Sequence, residues 1–430
     1  MRRFAVLTLG CKVSQYDGEA LASALEASGA RRVDDPAEAD VVIVNTCTVT
    51  NRADADARRV IRRIRRRNGS ARVVVTGCLA QRDPDGVAAR TGADLVVGNA
   101  AKAALPRLLE RGTFPAVAAP PFGEAPGIFT APLPGPRPGR SRAFLKIQEG
   151  CEQRCTFCIV PAVRGPERSV PGPDVVAEVA RLAASGYPEI VLCGVHLGSW
   201  GHDTGETLAG LVRSLDALPG RFRIRLSSIE PWGVEEALLD ALAASRRVVP
   251  HLHLPLQSGC DATLRRMGRP YTAAAYGALL DRVRAALPDA TVGTDLIVGF
   301  PGEDDAEFEA TMAFLESCPL DLVHVFPYSP RDGTPAARLA APPQRVAKAR
   351  LHRVRELFER RRRAWLARQV GREEEAAVLR CGGGEARGLT GRYAPVRIAG
   401  SFEPATLVAV RITGVEGNAL AARPLEAGGP

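Results

Sequence analysis

The chain reads as an α/β protein in three folded parts: an open parallel-sheet domain, a partial (β/α) barrel and a small antiparallel β-barrel. Three observations predict this. Apolar runs of strand length alternate with helix-length segments from position 4 to about 109, and again from 143 to about 335. A stretch dominated by Pro, Gly and Ala separates the two blocks. From about Gly371 the pattern changes to short alternating runs punctuated by glycine-containing turns. With 430 residues, 46% hydrophobic and 24% charged, there is material for roughly three domains.

In the first block the strands are FAVLTLG, VVIVNTC, VVVTGC and LVVG, with helices over segments such as 15–28 and 52–67. Continuous apolar strands belong in a parallel sheet covered on both faces, so residues 1–112 predict a Rossmann-like domain. Residues 113–141 sustain neither helix nor ladder and predict an extended linker. Residues 142–365 carry FLKIQ, EIVLCGV, RIRLSSI, HLHLPL, TVGTDLIVGF and LVHVFPYS, with helical segments between most of them. About six such units make a partial barrel whose site lies at the C-terminal strand ends. Positions 344–369 predict one Arg-rich amphipathic helix, with Leu351, Val354 and Phe358 on its apolar face, read as a solvated joint between domains. Residues 366–430, with AAVLR, YAPVRI, TLVAVRITGV and ALAARP, predict the small antiparallel barrel.

The formal net charge of +9 suits an anionic partner, but nearly all of it is Arg, with Lys only at 12, 102, 146 and 348, so composition alone points only weakly to nucleic acid. No apolar run of about eighteen residues and no charged-then-apolar leader occurs, so a cytoplasmic protein without a membrane partner is expected. Ten cysteines in a chain this long do not make a disulfide scaffold, and settings such as TLGC, NTC and TGC favour metal or redox use.

The central motif is GCEQRCTFCIVP, just after the strand FLKIQ. Cys151, Cys155 and Cys158 can ligate three irons of a [4Fe-4S] cluster, leaving the fourth iron open for a substrate or cosubstrate. A zinc site or a simple electron-transfer cluster expects a fourth ligand nearby, and the next candidates in sequence are as distant as Cys193 and His196. Cys11, Cys47 and Cys78 each end a predicted strand. In an open parallel sheet those ends line one crevice, so three remote thiols converge and a second cluster is expected there. Any one of them alone would read as a buried packing residue.

The spacing of Cys151, Cys155 and Cys158, with Phe157 before the last, resembles the radical S-adenosylmethionine superfamily. Over nearly the whole chain the pattern is similar to the methylthiotransferase family, and TLGCKVSQYD and NTCTVTNRAD resemble its branch acting on threonylcarbamoyladenosine in tRNA. Further matches are VLCGVHLGSWG, LSSIEP, HLHLPLQSG, TDLIVGFPGE and HVFPYSPRDGTPA. The resemblance implies an N-terminal cluster domain, a radical barrel and a C-terminal TRAM domain. It implies two [4Fe-4S] clusters, S-adenosylmethionine, an electron donor of unknown identity, and the tRNA anticodon loop as partner. The expected reaction replaces the C2 hydrogen of the modified adenosine at position 37 by a methylthio group. No catalytic residue is expected beyond the six ligands.

For the cosubstrate, Gly194 and Gly198 are expected to permit close backbone approach, and Glu230 and Gln257 to hydrogen-bond its polar groups. Asp295 reads as a helix cap or loop contact, and His251 and His253 as core or hydrogen-bonded histidines. Two departures from the family pattern stand out: Ser14 replaces a common Asn, and PAVRGPERSV lacks the aromatic and some basic residues usual there. Cys193, Cys260, Cys318 and Cys381 match no ligand position and read as structural. The alternatives are a methylthiotransferase for isopentenyladenosine in tRNA or for a ribosomal protein, and a non-enzymatic iron–sulfur protein that binds RNA or carries electrons.

Overall fold

A computed structural model describes residues 3–111, 116–123, 127–137 and 140–425. Its N-terminal sheet has six parallel strands in the order Arg31–Arg32, Arg3–Thr8, Val41–Thr46, Arg72–Gly77, Leu95–Val97, Val117–Ala118. Helices cover both faces, so the central strands Val41–Thr46 and Leu95–Val97 are buried throughout and Arg72–Gly77 from Val73 on, as their unbroken apolar runs require. The three strands that precede Cys11, Cys47 and Cys78 are immediate neighbours.

The linker is more ordered than its composition suggests, although residues 113–115, 124–126 and 138–139 of it lie outside the described residues. Val117 and Ala118 add the edge strand of the N-terminal sheet. Farther on, Leu133 joins the barrel core, and Phe129 packs against both that core and the N-terminal sheet. A segment that cannot pair its own backbone offers its carbonyls to side chains: the Tyr16 hydroxyl donates to Ala131 O at 3.4 Å and Tyr187 to Pro134 O at 3.1 Å.

Six parallel strands form the partial barrel, in two sheets of three. Arg223–Leu226, Glu189–Cys193 and Arg142–Lys146 make one, and His251–His253, Thr291–Val298 and Leu322–Pro327 the other. Isolated bridges Ile224 to Val248 and Ser228 to His253 join them. Alternate side chains such as Leu252, Leu296 and Val325 enter the core under the surrounding helices, which leaves the intervening residues on the inner face.

Helix Gln344–Ala367 is less solvated than its arginines suggest. Val354, Leu357 and Phe358 bury against the barrel, and Trp365 and Leu366 against the C-terminal domain. Arg350, on the same helix, is buried because Glu303 and Asp305 pair with it, each at 2.8 Å. The C-terminal domain is a closed five-stranded barrel. All its pairs are antiparallel except Pro395–Ala399 with Ala419–Pro424, which run parallel. It docks beneath the central barrel through Arg223 and Arg225, which pair with the buried Glu189 and donate to the carbonyls of Leu389, Thr390 and Gly391. Among the described residues no helix is long and apolar enough to cross a membrane.

Candidate functional site

Cys11 caps helix Lys12–Ala27, Cys47 follows strand Val41–Thr46, and Cys78 opens helix Cys78–Arg82. Gly10, at φ +117°, brings its backbone so close to Cys47 that a Cβ there would stand 2.8 Å from the cysteine Cβ. Only glycine allows that approach. Burial pushes the Cys47 thiol up to about 12, and Cys78 and Cys11 add to the rise, so the three thiols lie near enough to repel as thiolates. A bound cation reverses that penalty, because a coordinating thiol deprotonates.

The second set lies in the loop between strand Gln148–Glu149 and helix Val160–Arg164. Thr156 pins this loop, donating from its amide to Met267 O at 2.9 Å and from its hydroxyl to Arg266 O at 2.7 Å. Burial pushes the Cys151 and Cys158 thiols up to about 12, and their neighbouring thiols contribute. Arg269 donates to Cys155 Sγ at 3.5 Å while pairing with Glu230, and its guanidinium lies over Trp232 and Tyr271.

The two sets meet across the domain interface. Cys78 packs against Ile159 and Val163, just beyond Cys158. Asn99 Nδ2 bridges them, donating to Val163 O at 2.7 Å and to Cys78 Sγ at 3.5 Å. Arg164 Nε donates to the same sulfur at 3.3 Å.

Behind Cys78 lies a buried charge network that sequence reasoning missed. Asp17 accepts from Lys146 at 2.6 Å, from Lys102 at 2.8 Å and from Arg164 at 3.0 Å. Glu149 accepts from Lys146 at 2.8 Å and from Arg164 at 2.6 Å. With Arg168 3.8 Å from Glu149, four cations thus face two carboxylates, and through Arg164 the excess positive charge is directed at a sulfur. Burial alone would raise Asp17, but Lys102, Lys146 and Arg164 hold it well below the usual carboxylate range. One signal was available: in a chain with four lysines, two are buried here.

Of the expected cosubstrate contacts, Gly198 makes its close approach to chain neighbours, since a Cβ would meet Gly233 Cα at 3.1 Å. Gly194 is crowded likewise by Gln148, whose Oε1 would be 2.8 Å away. Gln257 adopts a left-handed backbone at φ +69°, a costly conformation for a residue with a side chain.

Two sequence expectations change. The fold brings His196 and Glu167 beside Cys151, with their ligand atoms mutually within 4.8 Å, so distance along the chain misjudged the neighbours of the loop. Glu167 takes His196 Nδ1 at 2.8 Å, and the buried Nε2 has no partner among the described residues. Asp295 is no helix cap: it sits inside strand Thr291–Val298 between His253 Nε2 at 3.1 Å and His324 Nδ1 at 3.5 Å. Ser14, the departure from the family pattern, is buried between Arg164 Nη2 at 3.4 Å and Cys11 Sγ at 3.7 Å. His251 is a core histidine as expected, stacked on Tyr393 of the C-terminal barrel with centroids 4.5 Å apart.

The radical S-adenosylmethionine superfamily model matches residues 145–315, and the model of uncharacterized protein family UPF0004 matches residues 3–98. A radical S-adenosylmethionine methyltransferase from Kitasatospora setae shares the fold, with TM-score 0.58 and 19% identity over 78% of this chain and 75% of its own. With the curated relatives that follow, these matches make the protein a radical S-adenosylmethionine enzyme, a class that carries a [4Fe-4S] cluster and S-adenosylmethionine. Among curated relatives, the threonylcarbamoyladenosine tRNA methylthiotransferase of Bacillus subtilis is 39% identical over 88% of this chain and 84% of its own. The tRNA-2-methylthio-N(6)-dimethylallyladenosine synthase of Mycolicibacterium vanbaalenii is 37% identical over 96% and 86%. The chain belongs to the radical S-adenosylmethionine methylthiotransferase family.

Proposed function

We propose that this chain converts N6-threonylcarbamoyladenosine at position 37 of tRNA to its 2-methylthio derivative. The observation that carries the reading is the packing of both cysteine sets on one interface, through Cys78 against Ile159 and Val163. In this reading residues 1–112 are the domain of one [4Fe-4S] cluster, held by Cys11, Cys47 and Cys78. Residues 142–365 hold the other on Cys151, Cys155 and Cys158, and residues 366–430 are a TRAM-like RNA-binding domain.

The residues fit such groups. Thiols come in threes, Arg164 and Asn99 aim N–H donors at Cys78, and Arg269 aims one at Cys155. The unpartnered His196 Nε2 beside Cys151 suits a polar ligand there. Gly194, Gly198, Glu230 and Gln257 follow strands Glu189–Cys193, Arg223–Leu226 and His251–His253 in the chain, and in this reading they contact the cosubstrate. Bound there, the clusters and cosubstrate supply the one-electron chemistry that an unactivated adenine C2–H demands. The chain holds the thiolates, directs positive charge at Cys78 and excludes water from the interface.

The threonylcarbamoyl branch is supported by TLGCKVSQYD and NTCTVTNRAD around Cys11 and Cys47. Mass spectrometry of nucleosides from bulk cytoplasmic tRNA, with and without the gene, tests it. Loss of the methylthio-threonylcarbamoyl form is expected. Loss of the methylthio-dimethylallyl form instead would overturn the branch, and an unchanged profile would leave a ribosomal protein as substrate.

The anticodon loop presents a base that can be splayed out for such chemistry. Arg355, Arg360 and Arg363 stand exposed on helix Gln344–Ala367 and suit its phosphates. Affinity for tRNA is expected to fall about tenfold or more between roughly 0.05 and 0.2 M salt, as release of counterions from about three phosphates requires. Filter binding at several salt concentrations measures it, and a flat dependence would count against the RNA partner.

A further inference from the structure

The inner face of the second barrel sheet carries a polar cluster outside both cysteine sets. Strand register places Asp295 directly opposite His324, and His253 opposite Gly293, one diagonal step from Asp295. Both histidines contact the same oxygen of Asp295, and their rings lie 5.3 Å apart. Gly293 makes room for this, since a Cβ there would stand 3.1 Å from His253 Nδ1. Asp295 is held well below the ordinary carboxylate range, burial being overcome by the two imidazoles.

The alternating partners of these residues, Leu252, Leu296 and Val325, are core, so the cluster faces the barrel interior. Strand Leu322–Pro327 is the open edge of its sheet, and His324 keeps 58% of its side chain exposed. Two residues on, and therefore on the same face, Phe326 is one of few large apolar side chains left in solvent among the described residues, at 46% exposure. The segment that follows this strand reaches the residues just after Cys47: Asn51 N donates to Ser329 Oγ at 3.0 Å, and Arg331 donates to Thr48 O at 2.9 Å.

We propose that His253, Asp295 and His324 form the subsite for the polar amino-acid arm on N6 of the target adenosine, with Phe326 stacking on its base. This rests on the tRNA reading above. An arm bearing N–H and O–H donors together with a carboxylate matches a site that offers one carboxylate acceptor and imidazole donors. A dimethylallyl arm offers neither, and would cover the remaining polar atoms of this cluster without giving them a partner. The exposed ring matches the way single-stranded bases are held on aromatic side chains.

Binding of reconstituted holoenzyme to anticodon stem-loop RNAs tests the assignment, with threonylcarbamoyl, dimethylallyl or no arm on the target adenosine. The wild type is expected to prefer the threonylcarbamoyl RNA over the dimethylallyl RNA by about tenfold or more. Asp295→Asn and the exposed His324→Leu are expected to lose most of that preference while binding unmodified RNA unchanged. Phe326→Leu is expected to weaken all three RNAs alike. A preference retained in both polar variants would overturn the subsite and leave the substrate reading standing. A wild type that prefers the dimethylallyl RNA would overturn the substrate reading itself. One zinc ion bound per chain and lost in His324→Leu would reassign the three donors to a metal centre and overturn the proposal.

Discussion

If both cysteine sets hold clusters as proposed, alanine at Cys151, Cys155 and Cys158 together is expected to lower the iron of the reconstituted protein from about eight to about four atoms per chain. Reductive cleavage of S-adenosylmethionine to deoxyadenosine should vanish with it. The loop has no substitute for three thiolates, because Glu167 and His196 flank only Cys151 and already pair with each other. The complementary triple variant at Cys11, Cys47 and Cys78 should lose the same amount of iron yet keep deoxyadenosine formation and fail only in methylthio transfer. Cys193→Ala serves as the control, since this cysteine is buried inside strand Glu189–Cys193 and is expected to leave iron unchanged. Iron analysis and chromatography of deoxyadenosine read all three. Full iron retention in either triple variant would remove that set from the ligands.

The second large effect is expected at Asp17→Asn. This carboxylate is fully buried and neutralises Lys102, Lys146 and Arg164 from three separate segments. Removing its charge leaves these three cations, together with Arg168, facing Glu149 alone, and breaking such a buried pair costs about 3–5 kcal/mol. The apparent melting temperature should fall, whereas Asp40→Asn, which breaks an exposed pair with Arg3, should leave it unchanged. The pH dependence follows from the sign of the shift. Asp17 has a folded pKa depressed below its unfolded value of about 3.9, so its contribution is complete above roughly pH 4 and is lost as pH falls below that. Glu189, held low by Arg225, Arg223 and Arg142 against the cost of burial, behaves likewise from about pH 4.3 downward. Thermal melts from pH 7 to 3 should show Asp17→Asn losing less stability over the acid limb than the wild type. Parallel curves would place the folded-state charge elsewhere.

Much of the site was legible because its signals are local. Three cysteines within eight positions point to a candidate cluster loop without any knowledge of the fold. Cys11, Cys47 and Cys78 were legible through topology, since ends of neighbouring parallel strands must lie close together. The Arg-rich helix misled, because pattern alone could not show that Arg350 finds Glu303 and Asp305, or that Trp365 reaches into the last barrel.

By itself the sequence determined the order of domains, the class of cofactor and the ligand candidates, because hydrophobic period and short-range spacing do not depend on what packs where. Only the tertiary structure decided which charges share a buried interface. Asp17 meets Lys102 and Arg164 across 85 and 147 residues of chain. Likewise, His324 opposes Asp295 only because of strand register. Such contacts hold side chains whose spacing carries no period, and a buried charge is tolerable only once its partners arrive from elsewhere in the fold.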